Sequence, residues 1–230
     1  MIKAVLFDLD GTLLDTAPAF HQLLNQQLHA AGRPLIHLSQ LRTVVSDGAA
    51  AMVSLAFDMS PEDPEFDHQL KTLLASYHAN PAANTQLFPG MSEVLNALDE
   101  ANIPWGIVTN KPERFTTPIL QHLGLNKNAK TVICPDHVSE RKPHPEGLLK
   151  AAAELGVAPE QCCYIGDHLR DIEAGRRANM ATIAVTYGYL HDAEDPQSWN
   201  ADAYAEHAEE LLVRLGLAST RAHENSDETE

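Results

Sequence analysis

The feature that most constrains the fold of this chain is a regular alternation of short apolar segments with amphipathic ones. Four apolar runs follow residue 100 and are separated by segments with helical spacing; they occupy residues 104–110, 130–135, 162–167 and 181–188. A fifth run, "KAVLFDLD", stands near the N-terminus. Strands that alternate with helices form parallel sheets covered by helices on both faces. The alternation therefore predicts an α/β fold around a parallel sheet.

Residues 16–85 lack this alternation. Helical spacing begins in "PAFHQLLNQQLHAAG" and continues through residues 35–77, and no segment there has the composition of a strand. We therefore predict a core formed by residues 1–15 and 86–217, with an all-helical insertion at residues 16–85. The last residues, 218–230, are acidic and have no apolar periodicity, which is typical of a disordered tail.

Composition and charge narrow the range of partners and locations. The formal net charge of −16 opposes binding to nucleic acid, because the phosphate backbone is itself negative. No apolar run is long enough to cross a bilayer, and the start "MIKAVLF" lacks the pattern of a signal peptide. We therefore expect a cytoplasmic protein, a monomer or homodimer, with neither a nucleic acid nor a membrane as partner.

Polar side chains follow three of the predicted strands at the point where each strand ends. Asp8, Thr109 and Asp167 each come directly after an apolar run. In parallel sheets, binding sites form beyond the carboxyl ends of the strands. The three side chains are therefore expected to meet at one edge of the sheet.

Four acidic residues are candidates for catalysis and metal binding. Asp8 and Asp10 are separated by one residue, and crowded carboxylates raise one another's pKa unless a cation lies between them. Asp167 and Asp171 are four residues apart and share one face if a helix begins there. Carboxylates without a His or Cys partner favour Mg²⁺. The competing interpretation is that Asp167 and Asp171 only cap a helix.

Three residues are candidates for binding a phosphate group. Thr109 and Asn110 end a predicted strand in "TNKP", where a hydroxyl, an amide and backbone N–H groups can point at an anion. Lys142 precedes a proline in "RKPHPE", and the proline restricts the backbone before it. A site that holds several acids and a phosphate needs a cation of this kind.

The stretches "DLDGT", "VTN", "KP" and "GDHLRD", in this order, resemble the four motifs of the haloacid dehalogenase superfamily. The match covers nearly the whole chain. The resemblance implies a Rossmann-like, doubly wound parallel sheet and identifies the helical insertion as a cap. It further implies an enzyme that transfers phosphoryl groups, because an acid at Asp10 is not needed where a halide leaves.

The resemblance also implies roles for individual residues. Asp8 would be the nucleophile that forms an aspartyl-phosphate. Asp10 would protonate the leaving alkoxide and then take a proton from the attacking water. Mg²⁺ would be held by Asp8, the Asp10 backbone carbonyl and Asp167, with Asp171 as a further ligand or beside the ligands.

The same resemblance assigns the phosphate-binding groups. Thr109 and Lys142 would bind the transferring phosphoryl group and offset its charge. Gly11 would permit the turn that brings Asp10 back over the site.

Within the superfamily, the chain resembles the phosphoglycolate phosphatase branch. Stretches such as "YGYLHDAEDPQSWNAD" resemble the bacterial N-acetylmuramic acid 6-phosphate phosphatases, which serve peptidoglycan recycling. Either substrate carries a carboxylate, and Arg42 is predicted to bind it, although a solvated surface arginine is an equal alternative. N-acetylmuramic acid 6-phosphate is the expected substrate. The alternatives are phosphoglycolate, a sugar phosphomutase reaction, and a phosphate-binding module without catalysis.

Overall fold

The structure is a computed structural model that describes residues 2–191 and 194–217. The predicted tail at residues 218–230 lies outside the described residues. The strands are β1 (Ala4–Phe7), β2 (Leu14–Asp15), β3 (Gln86–Leu87), β4 (Trp105–Val108), β5 (Val132–Ile133), β6 (Cys162–Gly166), β7 (Ala181–Val185) and β8 (Ala203–Ala205). The helices are α1 (Ala17–Ala30), α2 (Leu38–Arg42), α3 (Ala49–Phe57), α4 (Phe66–Ala79), α5 (Met91–Glu100), α6 (Glu113–His122), α7 (Glu146–Leu155), α8 (Leu169–Arg177) and α9 (Glu210–Arg214).

Six strands form one parallel sheet in the order β5-β4-β1-β6-β7-β8. Phe7 in the central strand β1 lies opposite Ile107 on one side and Ile165 on the other. All four residues of β1 are buried, as expected for a strand covered on both faces. This arrangement confirms the predicted α/β fold with a doubly wound parallel sheet.

Alternate side chains of the central strand enter different halves of the core. Val5 and Phe7 belong to the larger apolar cluster, in which the Phe7 and Trp105 rings meet edge to face with centroids 6.4 Å apart. Leu6 points to the other face and packs in a cluster with Tyr164. The sheet is therefore held by apolar burial on both sides.

The strand order decides where a site can form. From β1 the sheet extends through β4 and β5 on one side and through β6, β7 and β8 on the other. A ligand crevice lies where the strand order reverses, at the carboxyl ends of the strands. The loops that follow β4, β1 and β6 are therefore neighbours.

The helices α1–α4 all lie within residues 16–85, and they pack mainly against one another. The short antiparallel pair of β2 and β3 stands at the two ends of this segment. Gly48, with φ +90°, separates a short 3₁₀ turn at Val45–Asp47 from α3. No helix in the described ranges combines the length and apolar character needed to cross a bilayer.

Residues 203–217, which have helical spacing, are predicted to form one helix, and this prediction is wrong at its start. Ala203–Ala205 is instead the edge strand β8, paired with Ile183–Val185 of β7. The helix α9 is confined to Glu210–Arg214. Backbone hydrogen bonding to the open edge of the sheet outweighs the helical preference of this short segment.

The buried face of β1 leads to a prediction about stability. Leu6→Ala is expected to lower the free energy of unfolding by about 2–5 kcal/mol, because it leaves a cavity in a fully buried cluster. The same change at Leu35, which is 58% exposed, is expected to cost less than about 0.5 kcal/mol. Urea denaturation followed by circular dichroism measures both. Equal losses in the two variants would contradict this account of the core.

Candidate active site

The loop after β1 carries the first two acids. Asp8 is buried, and its backbone N–H donates to the Ile165 carbonyl oxygen over 2.8 Å, which continues the sheet past the strand. Gly11 follows with φ +85°, and a Cβ on this residue would lie only 2.0 Å from Asp167 Oδ2. Glycine is therefore required here both for the turn and for the close approach of Asp167.

Three acids from separate parts of the chain come together beside this loop. Asp8, Asp167 and Asp171 each offer one carboxylate oxygen, and these oxygens lie within 4.8 Å of one another. All three residues are buried. Asp171 lies in the first turn of α8, where its Oδ2 accepts from the His168 backbone N–H over 3.2 Å. The structure thus brings Asp8, Asp167 and Asp171 into one cluster, and Asp171 also caps its helix.

Lys142 is the cation at the centre of the acid cluster. Its Nζ donates to Asp8 Oδ1 over 2.8 Å, to Asp171 Oδ1 over 2.7 Å and to Tyr164 Oη over 2.7 Å. Burial lowers the pKa of Lys142, but the carboxylates of Asp171 and Asp8 outweigh this effect and raise the pKa above its usual value. Lys142 is therefore a fixed positive charge.

Among the described residues, no lysine pairs with Asp167, which is held by neutral donors instead. Its Oδ2 accepts from Ser46 Oγ and from the Tyr189 backbone N–H, each over 3.0 Å. Burial, together with Asp8 and Asp171, raises the pKa of Asp167 to about 8. The cluster therefore holds more negative charge than Lys142 balances.

The donor set fits a hard divalent cation. The group contains three carboxylates and no His or Cys ligand. Oxygen-only sites of this kind suit Mg²⁺ or Ca²⁺ and not zinc or copper. A cation bound there would also remove the repulsion that raises the pKa of Asp167.

Thr109 and Asn110 have different surroundings at the end of β4. Thr109 Oγ1 accepts from the Lys111 backbone N–H over 3.1 Å, which leaves its own proton available for a ligand. The Asn110 side chain makes two hydrogen bonds with the Lys142 backbone, 3.0 Å to its carbonyl oxygen and 3.1 Å from its N–H. The Asn110 amide therefore holds the Lys142 loop in place. Asn110 also lines the cavity described below, and its predicted use for substrate binding stays a prediction.

Lys111 is a second buried lysine, which sequence reasoning missed. Its Nζ donates to both carboxylate oxygens of Asp10, over 3.0 and 3.1 Å. The ammonium also lies 5.4 Å from the Phe20 ring centroid and 4.8 Å from the Tyr77 ring centroid. Its position directly after "TN" was the available signal, but a single lysine in a loop is usually solvated.

A cavity of about 450 Å³ connects these groups with the helical segment. One wall comes from the strand loops and includes Asp8, Asp10, Thr109 and Lys142. The other wall is formed by α1, α3, α4 and the turn before α3. Its lining residues are Phe20, Val45, Ser46, Asp47, Gly48, Ala49, Met52, Leu74 and Tyr77. Arg141 and Arg170 also line it. The cavity is therefore shared between the sheet edge and residues 16–85.

The structure does not bring Arg42 to this cavity. Its guanidinium donates to Asp15 Oδ2 over 2.5 Å and lies 5.7 Å from the Tyr189 ring centroid. Asp15 in turn accepts from Tyr189 Oη over 2.9 Å. Because this pairing uses the charge of Arg42, the prediction that Arg42 binds the substrate carboxylate has no support in the structure.

Two further residues of the site, Tyr164 and Arg170, were missed or left open by sequence reasoning. Tyr164 links Lys142 to the Val108 carbonyl oxygen, to which its hydroxyl donates over 2.8 Å. Arg170 donates to the Ser46 carbonyl oxygen over 2.5 Å and so joins α8 to the turn before α3. Tyr164 stands inside an apolar strand and therefore has the pattern of a core residue, whereas the position of Arg170 between two acids was the only signal.

Comparison with known proteins gives the family. The model of the haloacid dehalogenase-like hydrolases matches residues 5–185. An N-acetylmuramic acid 6-phosphate phosphatase from Pseudomonas aeruginosa is 45% identical over 217 residues, which are 94% of this chain and 96% of the relative. A phosphoglycolate phosphatase from Xanthomonas campestris pv. campestris is 45% identical over 215 residues, covering 91% of this chain and 94% of the relative.

A solved structure agrees with this result. The crystal structure of a predicted phosphoglycolate phosphatase from Haemophilus somnus superimposes with a TM-score of 0.80 at 25% identity, covering 93% of this chain and 98% of that one. The family match extends from β1 to the end of β7 and so includes Asp8, Asp167 and Asp171 of the acid cluster. The chain therefore belongs to the haloacid dehalogenase-like hydrolases.

Proposed function

We propose that this chain is a Mg²⁺-dependent phosphatase that hydrolyses N-acetylmuramic acid 6-phosphate through an aspartyl-phosphate intermediate. The observation that carries the proposal is the buried cluster in which Lys142 Nζ lies 2.8 Å from Asp8 and 2.7 Å from Asp171, with Asp167 beside them. The relatives described above are phosphatases, so the reaction class is that of a phosphoric monoester hydrolase. A phosphate-binding module without catalysis would not need this complete set of charged groups.

In the first step, Asp8 attacks the phosphorus atom and the bond from phosphorus to the ester oxygen breaks. Asp10 donates a proton to the departing alkoxide, a role worth roughly 10²–10⁴-fold in rate. The Thr109 hydroxyl and the Lys142 ammonium bind the oxygens of the transferring phosphoryl group. Both groups line the cavity together with Asp8, which supports this assignment.

In the second step, water attacks the phosphorus atom of the aspartyl-phosphate. Asp10, now a carboxylate, takes a proton from this water. The bond between phosphorus and Asp8 then breaks, which releases inorganic phosphate and restores the Asp8 carboxylate. Lys111, paired with both oxygens of Asp10, keeps this carboxylate turned toward the cavity.

Asp8, Asp167 and Asp171, with the Asp10 backbone carbonyl, are the residues that would hold Mg²⁺. When bound, the ion supplies positive charge that offsets the charge of the phosphoryl oxygens. The surplus negative charge of the cluster and its oxygen-only donor set support this assignment. Ser46 and the Tyr189 backbone N–H would orient Asp167 in the site.

Residues 16–85 are proposed to act as the cap over a core of residues 1–15 and 86–217. Phe20, Met52, Leu74 and Tyr77 of this segment line the cavity, which supports a role in excluding water and holding the substrate. The proposal keeps the expected cytoplasmic location and the expected monomer or homodimer.

The choice between substrates rests on the relatives and on the size of the cavity. Both groups of relatives match at 45% identity, so N-acetylmuramic acid 6-phosphate and phosphoglycolate are both candidates. A cavity of about 450 Å³ is large enough for an amino sugar phosphate, and this favours the first. Hydrolysis is favoured over a phosphomutase reaction because both relatives are phosphatases.

The substrate assignment predicts a specificity order. We expect kcat/KM to be highest for N-acetylmuramic acid 6-phosphate, lower for phosphoglycolate, and lowest for a neutral sugar phosphate. Phosphate release in the presence of Mg²⁺, measured over a range of substrate concentrations, provides the comparison. A higher kcat/KM for phosphoglycolate would reverse the substrate choice, and isomerised product in excess of released phosphate would indicate a mutase.

The nucleophile assignment predicts the effect of Asp8→Asn. We expect the variant to lose activity by roughly a thousandfold or more, because an amide cannot form the aspartyl-phosphate. Asp58→Asn is the matched control, since it makes the same chemical change on an exposed residue at the end of α3. Full activity in folded Asp8→Asn protein would be incompatible with the mechanism.

The two roles of Asp10 predict different losses for different leaving groups. Asp10→Asn is expected to slow release of a sugar alkoxide by about 10²–10⁴-fold, because the leaving oxygen is no longer protonated. A nitrophenolate leaves without a proton, so with p-nitrophenyl phosphate we expect a burst of about one nitrophenol per active site and then slow turnover. Rapid-mixing kinetics measures this burst. Absence of a burst, with both substrates slowed equally, would argue against the acid–base role.

A further inference from the structure

Beside Asp10, the cavity wall holds a lysine that is not used to balance the acid cluster. Lys111 is buried, and Asp10 is the acid with which it forms an ion pair in the described part of the chain. An ammonium group has three protons, and its contacts to a single carboxylate leave room for a second acceptor. Burial lowers the pKa of Lys111, but the Asp10 carboxylate outweighs this effect, and the pKa lies above its usual value.

Next to Lys111, a tyrosine presents an unused hydrogen-bond donor. Tyr77 is 1% exposed and lines the cavity, yet its hydroxyl has no hydrogen-bond partner within residues 2–191 and 194–217. Buried hydroxyls in folded proteins nearly always have a partner. Burial raises the pKa of Tyr77, so the phenol keeps its proton. A hydroxyl of this kind is ready to donate to a ligand in the cavity.

The surroundings of these two groups are apolar. Phe20 and Tyr77 stack with ring centroids 4.2 Å apart, and Tyr77 lies 5.3 Å from the Phe115 ring centroid. Met52 and Leu74 complete this part of the lining. An ammonium and a phenol within an apolar wall suit an anion attached to a short hydrocarbon group.

We propose that Lys111 and Tyr77 form a carboxylate subsite, in which the ammonium and the phenol donate to the carboxylate of the phosphate ester substrate. This inference rests on the proposed function and names the residues that would distinguish a carboxylated phosphate ester from a neutral one. The carboxylate gains a buried cation, and the Tyr77 hydroxyl gains the partner that it lacks.

The arginines near the site are less suited to this role than Lys111. Arg42 is paired with Asp15 and does not line the cavity. The carboxylates of Asp171 and Asp8 stabilise the positive charge of Arg170, and its guanidinium donates to the Ser46 carbonyl oxygen. The charge of Arg170 is therefore directed at the acid cluster. Arg141 lines the cavity but is exposed to solvent, where an ion pair contributes little. Lys111 is the buried cation that faces the apolar part of the cavity.

The experiment compares two esters that differ by the lactyl ether group, which carries the carboxylate. N-acetylmuramic acid 6-phosphate carries a lactyl carboxylate, and N-acetylglucosamine 6-phosphate is the same amino sugar phosphate without it. The readout is the ratio of the two kcat/KM values in wild type, Lys111→Met and Tyr77→Phe. Lys127→Met is the control, because Lys127 is exposed and lies outside the cavity lining.

We expect the ratio to fall about 100-fold in Lys111→Met and about 10-fold in Tyr77→Phe, as for lost hydrogen bonds to a charged group. The loss should lie mainly in KM, since the carboxylate is bound in the ground state as well as in the transition state. Lys127→Met should keep the wild-type ratio.

A different result would overturn the subsite. If Lys111→Met slows both esters by the same factor, Lys111 only holds Asp10 in place. Tyr77→Phe decides the question independently should Lys111→Met fail to fold, because it removes one oxygen atom; an unchanged ratio in this variant refutes the proposal. Wild-type protein that hydrolyses both esters equally also refutes the subsite but leaves the phosphatase intact. Wild-type protein that hydrolyses neither ester, nor p-nitrophenyl phosphate, refutes the proposed function itself.

Discussion

The structure of the site depends on the burial of three carboxylates around one ammonium group. Burying charge is costly unless the charge is paired and hydrogen-bonded. Lys142 offsets this cost only in part, because its ammonium group contacts Asp8 and Asp171, whereas Asp167 accepts hydrogen bonds from neutral donors. Burial and the remaining negative charge together raise the pKa of Asp167, and this charge is also the basis for the affinity for a divalent cation that we infer. The Asn110 side chain and the Tyr189 backbone N–H hold Lys142 and Asp167, respectively, in place.

The two acids of "DLD" are each paired with a lysine, and the two pairs differ in their surroundings. Asp8 contacts Lys142 inside the acid cluster, whereas Asp10 contacts Lys111 against the rings of Phe20 and Tyr77. In the proposed mechanism, the first pair acts on the phosphoryl group that is transferred to Asp8. The second pair faces the apolar part of the cavity, where the proposed mechanism places the leaving group that Asp10 would protonate.

Much of the fold could be predicted because its signals are local. The apolar runs of β1, β4, β6 and β7 are continuous, and continuous runs separated by helices indicate a buried parallel sheet. The edge strand β8 escaped prediction, because its three residues become a strand only through pairing with β7. In the same way, Asp8 and Asp167 could be expected at one sheet edge from their positions after strands.

The sequence by itself determined the order of the helices and strands that build the centre of the sheet, the acids that end these strands, and the motifs that indicate the family. Only the tertiary structure decided which cation meets which acid. Arg42 pairs with Asp15, and Lys111 lies under Phe20 and Tyr77, although these partners are distant along the chain. The physical reason is that periodicity defines the face on which a side chain lies, whereas its partner depends on how α1 and α4 pack over the sheet edge.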